Sequence, residues 1–314
     1  MFMGEWRNWY TRTTQNRVPL RIEGSIPSSP TKIMKTWNNI KRLVFISRPA
    51  GWLPFACPYI AGVILAEADW NFITWLGAFF CTFPMGIVVF GLNDIADKKS
   101  DVINSRKGGA AGAIVNNNET KLLVYASLVV SVLFEAVYIT TGHYLTALWT
   151  LGILVFAYTY SVPPIRLKTR PILDGFSNGL WGLFILMSGF TASIVGLRAF
   201  YPHWRLVFLA VLTGMVFHVL FTVADYEVDK KVGDTTIAVY LGKIKTLILC
   251  ELIFIADLFL TRHSSAGLRA FFLLCALTTL AMMRRPTPRF TYRATGILVL
   301  LMPVLFAYLV LKTY

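Results

Sequence analysis

Apolar runs near residues 43–66, 70–92, 121–140, 144–160, 174–196, 205–224, 243–261, 266–283 and 294–311 occupy most of the chain beyond residue 42. Most are long enough to cross a hydrocarbon core of about 30 Å as helices. A soluble chain of 314 residues would divide its apolar residues into shorter, periodic pieces. Mean hydropathy is +0.60 and only 15% of residues are charged, in keeping with a lipid environment. The expected fold is therefore an all-α polytopic membrane protein of about nine transmembrane helices. The eighth run is short and the sixth ends in charge, and eight is the alternative count.

Thirty Lys and Arg residues report the orientation. Residues 1–42 hold eight of them, and the even-numbered gaps hold most of the rest, among them Lys98, Lys99, Arg106, Lys107, Arg166, Lys168, Lys230 and Lys231. The odd-numbered gaps hold only Arg198, Arg205, Arg262 and Arg269. The excess of positive charge on the cytosolic side of membrane proteins puts the N-terminus in the cytosol and, with nine spans, the C-terminus on the far side. The net charge of +14 is thus a topology signal and implies no nucleic-acid partner; no protein partner is evident. Cys57, Cys81, Cys250 and Cys275 all fall in apolar runs without paired spacing, which reads as buried free thiols. Residues 1–42 lack an apolar signal core, so no cleavable leader is expected there. They divide into an irregular basic tail and an amphipathic helix around "TKIMKTWNNIKRLVFIS" lying along the headgroups. The remainder, 43–314, forms the membrane domain.

Two acidic clusters interrupt this pattern. "GLNDIADKKSD" (91–101) ends the second run and "VADYEVDKKVGDTT" (223–236) ends the sixth, and together they hold seven of the sixteen carboxylates. Each carries a Lys-Lys pair and each follows an even-numbered helix, a weak internal repeat that suggests two four-helix halves plus one helix. Four spans separate them, so both face the cytosol. On a helix Asn93 and Asp97 are one turn apart, as are Asp225 and Asp229, with Asp94 or Asp101 expected to extend the first face. These are hard oxygen ligands without nearby His or Cys, a set that suits Mg²⁺ completed by substrate phosphates. Carboxylates at helix C-termini oppose the helix dipole, so a bound cation explains them better than capping does.

The segments "NDIADKKSD" (93–101) and "DYEVDKKVGDTTIAVYLG" (225–242) resemble the paired acidic signatures of the UbiA superfamily of intramembrane prenyltransferases. "AYTYSVPPIRLKTRP" (157–171) is similar to the Tyr-containing basic loop after that family's fourth helix. The resemblance covers about 43–314 and implies a UbiA-like bundle open laterally to lipid, with two or more Mg²⁺ ions on an isoprenyl diphosphate. It puts Asn93, Asp97, Asp225 and Asp229 at the principal metal positions, with Asp94 and Asp101 as supporting carboxylates. Asp97, Asp225 and Asp229 then carry catalysis through the metals. Arg106, Lys107, Tyr160, Arg166, Lys168 and Lys230 are the groups expected at the diphosphate, and Arg48 either reaches the same anion or snorkels to the headgroups.

One departure bears on the acceptor. Family members that modify aromatic acceptors continue into an Arg-Thr-x-x-Arg-Pro run, where this chain reads "NSRKGGAAGAIV" (104–115). Its basic loop looks closer to the branch that contains carotenoid-elongating enzymes and fungal membrane-bound terpene cyclases. The expected activity is Mg²⁺-dependent ionisation of farnesyl diphosphate and cyclisation to a sesquiterpene, in a chamber walled by aromatics such as Phe83, Phe90, Trp181, Phe184, Phe217 and Phe221. The alternative is transfer of the prenyl group to a hydrophobic acceptor. A more remote one is a cation-coupled transporter using Glu135, Glu251 and Asp257, though the main clusters lie at a membrane edge rather than at mid-depth. His218, two turns before Asp225, reads as a satisfied polar residue or as a proton acceptor. In a eukaryote the endoplasmic reticulum is the expected location.

Overall fold

The computed structural model describes residues 32–102, 107–108, 112–192 and 201–313, so the N-terminal tail before Lys32 and Arg106 lie outside the described residues. The elements are α1 (Lys32–Ile46), α2 (Trp52–Leu65), α3 (Phe72–Phe80), α4 (Phe83–Ala96), α5 (Lys98–Asp101), α6 (Asn117–Thr140) and α7 (Tyr144–Ser161). They continue with α8 (Leu173–Phe190), α9 (Trp204–Val232), α10 (Ile237–Leu241), α11 (Lys243–Leu260), α12 (Ala266–Arg284) and α13 (Pro288–Thr313). Within the described residues each apolar run falls largely on helix, but the first two are not single helices. Residue 48 adopts a left-handed conformation (φ 52°) before Pro49, which divides α1 from α2. Pro84 in the first turn of α4 marks the second break, after Cys81 and Thr82. Proline cannot donate to the preceding turn, so a helix restarts at it more readily than it runs through. Among the described residues, five stretches are long and apolar enough to cross a membrane: Phe72–Ala96, Asn117–Thr140, Tyr144–Ser161, Tyr201–Val232 and Ala266–Arg284.

Local signals set the helix ends. Asn71 accepts from the Ile73 and Thr74 amides at the start of α3. Asn116 and Glu119 form a reciprocal capping box at the start of α6, and Arg42 ties Glu119 at 2.6 Å. Gly233, at φ 88°, ends α9 in the left-handed conformation that glycine adopts without strain.

Residues 41–314 form one unit with separate apolar cores. Tyr59, Phe80, Met85, Tyr138 and Ile153 centre the core of α2, α3, α4, α6 and α7. Val216, Leu220, Leu247, Phe254 and Phe272 centre that of α9 to α13. Helix α8 lies between, with Ile185 in the first core and Leu186, Met187 and Phe190 packed with Ala66 and Val207. All four cysteines are free thiols.

The α2–α8 crossing depends on glycine. A Cβ on Gly62 would lie 2.2 Å from the Leu186 carbonyl oxygen, and one on Gly189 would lie 2.1 Å from that of Tyr59. Small residues allow such backbone approach in membrane bundles. Gly189→Val is expected to cost about 1–3 kcal/mol or more by overpacking, read as a lowered unfolding midpoint in detergent. Gly296→Ala, where nothing lies within 4 Å, is expected to be neutral. Equal midpoints for the two variants would contradict the crossing.

Candidate active site

The basic loop after α7 turns back beneath the ends of α4 and α9. It contains a cis Pro163–Pro164 bond, a left-handed Arg166 (φ 41°) and a short 3₁₀ turn over Leu167–Thr169. That path brings Arg166 and Lys168 to both acidic clusters. The Arg166 guanidinium donates to Asp234 through Nη1 (3.0 Å) and Nη2 (3.3 Å), and Nη2 also reaches Asp97 Oδ1 at 3.3 Å. Lys168 Nζ donates to Asn93 Oδ1 at 3.0 Å and to Asp97 Oδ1. Carboxylates from residues far apart in the chain therefore share one guanidinium. Lys168 is only 8% exposed. Burial pushes its ammonium pKa down, and the Asp97 carboxylate opposes that shift.

The second cluster is held from below. Asp229 Oδ2 accepts from Thr236 Oγ1 at 3.2 Å, and Asp225 lies one turn earlier on α9. Asp174, fully buried in the first turn of α8, accepts from the Gly175 amide and from the Ile237 amide, both at 2.8 Å. It thereby fixes α10 across the chain from α8. Asp174 and Ser161, whose Oγ lies 3.4 Å from Asn93 Oδ1, were not among the sequence-derived candidates, and Asp234 was counted in the second acidic cluster without a role. Their spacing carried no signal, because each acts on a residue distant in sequence. Tyr160 pairs with His218, hydroxyl to Nε2, at 3.1 Å, so His218 is a hydrogen-bonded residue beside the cluster.

Asp94 and Asp101 are drawn elsewhere. Asp94, fully buried, takes Arg48 Nη2 at 2.7 Å and Lys107 Nζ at 2.8 Å on the same oxygen, and Lys107 also pairs with Asp101 at 3.0 Å. Asp94 and Asp101 thus pair with Arg48 and Lys107, while Asn93 and Asp97 meet Lys168. Seven residues apart, Asp94 and Asp101 are only about 20° from each other around a helix, whereas Asn93 is about 100° from Asp94. Lys107 and Arg48 are likewise tied to this separate network, and Arg48 also lies 4.2 Å over the Phe90 ring. Burial raises the Asp101 carboxyl to about 6, with Lys107 opposing. Its contribution to stability is complete below the ordinary carboxylate pKa and is lost as pH rises through about 6. Lys230 is exposed and lies over the Tyr226 ring at 5.8 Å.

The aromatic residues also separate. Phe90, Phe55 and Trp181 stack in series, with centroids 5.6 and 5.2 Å apart. Phe184 packs between Trp149 and Phe156, and Phe83 against Trp52. Phe217, expected at a central chamber, is instead packed with Phe254 and Phe271 in the α9–α12 core. Phe221 meets Tyr292.

The donor set fits a divalent cation. Two oxygens, Asn93 Oδ1 and Asp97 Oδ1, already converge on one positive centre, the Lys168 ammonium. Among the described residues, no three acidic, histidine or cysteine side chains converge tightly enough to hold an ion alone. That is the pattern of a site completed by the Asn93 amide, water and phosphate oxygens, as Mg²⁺ commonly requires.

Among the described residues the chain is a helical bundle in which two acidic helix ends meet at one basic loop. The chain belongs to the UbiA prenyltransferase family, whose model matches residues 55–295, and is a multi-pass membrane protein. It is 30% identical over 205 residues to a lycopene elongase/hydratase of Corynebacterium glutamicum, covering 65% of this chain and 70% of that one. A lycopene elongase/hydratase of Haloarcula japonica is 31% identical over 213 residues, covering 66% and 69%. A 2-acyl-4-prenylphloroglucinol 6-prenyltransferase of Humulus lupulus is 30% identical over 175 residues, covering 52% of this chain and 40% of that one. The fold matches that of a UbiA homolog from Archaeoglobus fulgidus bound to DMAPP and Mg²⁺, with TM-score 0.61 and 19% identity over 85% of this chain and 98% of the other.

Proposed function

We propose that the chain ionises an allylic isoprenyl diphosphate in a divalent-metal-dependent step and transfers the prenyl group to a hydrophobic acceptor. The observation that carries this reading is the Arg166 bridge between Asp97 and Asp234, which joins the two acidic motifs at one point. Asn93, Asp97, Asp225 and Asp229 would hold the metal ions. Bound Mg²⁺ would neutralise charge on the diphosphate and so ease C–O cleavage. Arg166 and Lys168 supply fixed cations for the phosphate oxygens, and the burial of Lys168 strengthens its interaction. Asp94, Asp101, Lys107 and Arg48 brace the end of α4 from behind. The site faces the cytosol on the charge pattern set out above. The lycopene elongase/hydratase relatives favour a long apolar polyene as acceptor.

Intramolecular cyclisation of farnesyl diphosphate is the second reading. It is favoured by the missing Arg-Thr-x-x-Arg-Pro run and by the Phe90–Phe55–Trp181 series leading away from Arg48. The test incubates membranes carrying the protein with Mg²⁺ and dimethylallyl, geranyl or farnesyl diphosphate, with and without lycopene. Transfer predicts acceptor-dependent prenylated product that chelation of the metal abolishes. A cyclic hydrocarbon formed without acceptor selects the cyclase. If none of the combinations releases diphosphate, the family-level chemistry is absent from this chain.

A further inference from the structure

At the end of the bundle opposite the acidic cluster, a cavity of about 210 Å³ opens between the start of α9 and the α11–α12 turn. Its polar lining is His203, Arg205, Thr261, His263 and Ser264, over a floor of leucines from α9 and α11. None of the lining residues is a carboxylate, and among the described residues neither Arg205 nor Arg262 has an acidic partner. Arg262 Nε donates to His263 Nε2 at 2.9 Å. A guanidinium has no acceptor to offer, so His263 Nε2 is the unprotonated nitrogen and Nδ1 carries the hydrogen. His263 thus keeps a donor for another group.

Depth adds a second, independent indication. Twenty residues of α9 separate Arg205 from Asp225, about 30 Å at 1.5 Å per residue, which is one hydrocarbon thickness. Tyr201 (76% exposed) and Trp204 (53% exposed) flank the cavity, residue types that settle at the headgroup level. The Arg262 guanidinium covers Phe259 at 4.3 Å on the same rim. We infer that this cavity binds the phosphate of a membrane phospholipid in the leaflet opposite the acidic cluster, with Arg205, His203 and His263 on the phosphate and the leucine floor under the glycerol and first acyl carbons. The apolar floor is what favours a lipid over free phosphate, since an inorganic anion gains nothing from leucine.

The test adds dioleoylphosphatidylglycerol, dioleoylglycerol or inorganic phosphate to delipidated protein in detergent and follows the unfolding midpoint, while native mass spectrometry counts retained lipid. Phosphatidylglycerol is expected to raise the midpoint and to stay bound at one molecule per chain, whereas dioleoylglycerol and equimolar phosphate leave the midpoint unchanged. Arg205→Gln with His263→Gln is expected to weaken the lipid response at least tenfold. Both side chains are exposed, and each single variant is measured as well, so a folding defect in the double variant does not decide the result. Arg284→Gln, at the other end of α12, serves as the charge control and should respond like the parent. An unaltered lipid response in the Arg205 and His263 variants, or an equal response to dioleoylglycerol, overturns the site. An equal response to inorganic phosphate overturns the lipid as its occupant.

Discussion

Asp97→Ala is expected to lower diphosphate release by about a hundredfold or more, the scale on which removing one preorganised electrostatic contact acts. The chain should still fold in detergent. Asp97 is where the two positive groups of the basic loop meet the first motif: Arg166 Nη2 at 3.3 Å, and Lys168, which also holds Asn93. Truncation removes an oxygen proposed for a metal and also the carboxylate that opposes the downward push of burial on the Lys168 ammonium pKa, so the metal and the lysine charge are both weakened at the leaving group. Stability should change less. Arg166 keeps both Asp234 contacts and Lys168 keeps Asn93 Oδ1. The measurement is diphosphate release across a Mg²⁺ titration, beside the unfolding midpoint. Near-parental turnover in a folded Asp97→Ala protein would remove this carboxylate from the metal site.

The second large effect falls on stability. Asp94→Ala is expected to cost about 3–5 kcal/mol, because removing one partner of a buried ion pair leaves the others uncompensated. Asp94 is fully buried, and one of its oxygens faces both Arg48 and Lys107. The other lies 3.4 Å from the Ala113 amide, which would also lose its acceptor. Asp101 compensates only Lys107. Asp94→Asn, which keeps an acceptor oxygen and loses the charge, should fall between the parent and alanine. If folded Asp94→Asn turns over within several-fold of the parent, Asp94 braces the helix end; a loss matching Asp97→Ala would return it to the metal site. An alanine variant as stable as the parent would contradict the buried network itself.

Together these two variants separate groups that adjoin in sequence. Arg48, Asp94, Asp101 and Lys107 hold the end of α4 in place, and that placement presents Asn93 and Asp97 to the loop carrying Arg166 and Lys168. Under the proposed function the chemistry would draw on both networks, one as chemical groups and the other as support.

Much of this protein was legible in residue order, because the signals are local. Apolar length marks a helix that can cross a bilayer, and the described parts of these runs are largely helical, with five stretches among the described residues long enough to span. The two acidic clusters, their one-turn spacing and the basic loop at 166–170 were visible for the same reason, whereas the break before Pro49 was passed over inside a single apolar run. The i, i+7 relation that sets Asp94 and Asp101 apart from Asn93 was also present, although one shared face is the simpler reading of four clustered ligands. What residue order did not contain was partnership at a distance. Asp97 with Lys168, Asp234 with Arg166, Asp174 with the Ile237 amide and Gly62 with Gly189 all join segments more than sixty residues apart. Phe217 was assigned to the chamber from its helix alone, but its orientation toward Phe254 depends on how α9 rotates against α11. Helix rotation and crossing are settled by close packing of whole faces, and a few tenths of an ångström at one glycine changes them. Only the tertiary structure could decide which charge meets which.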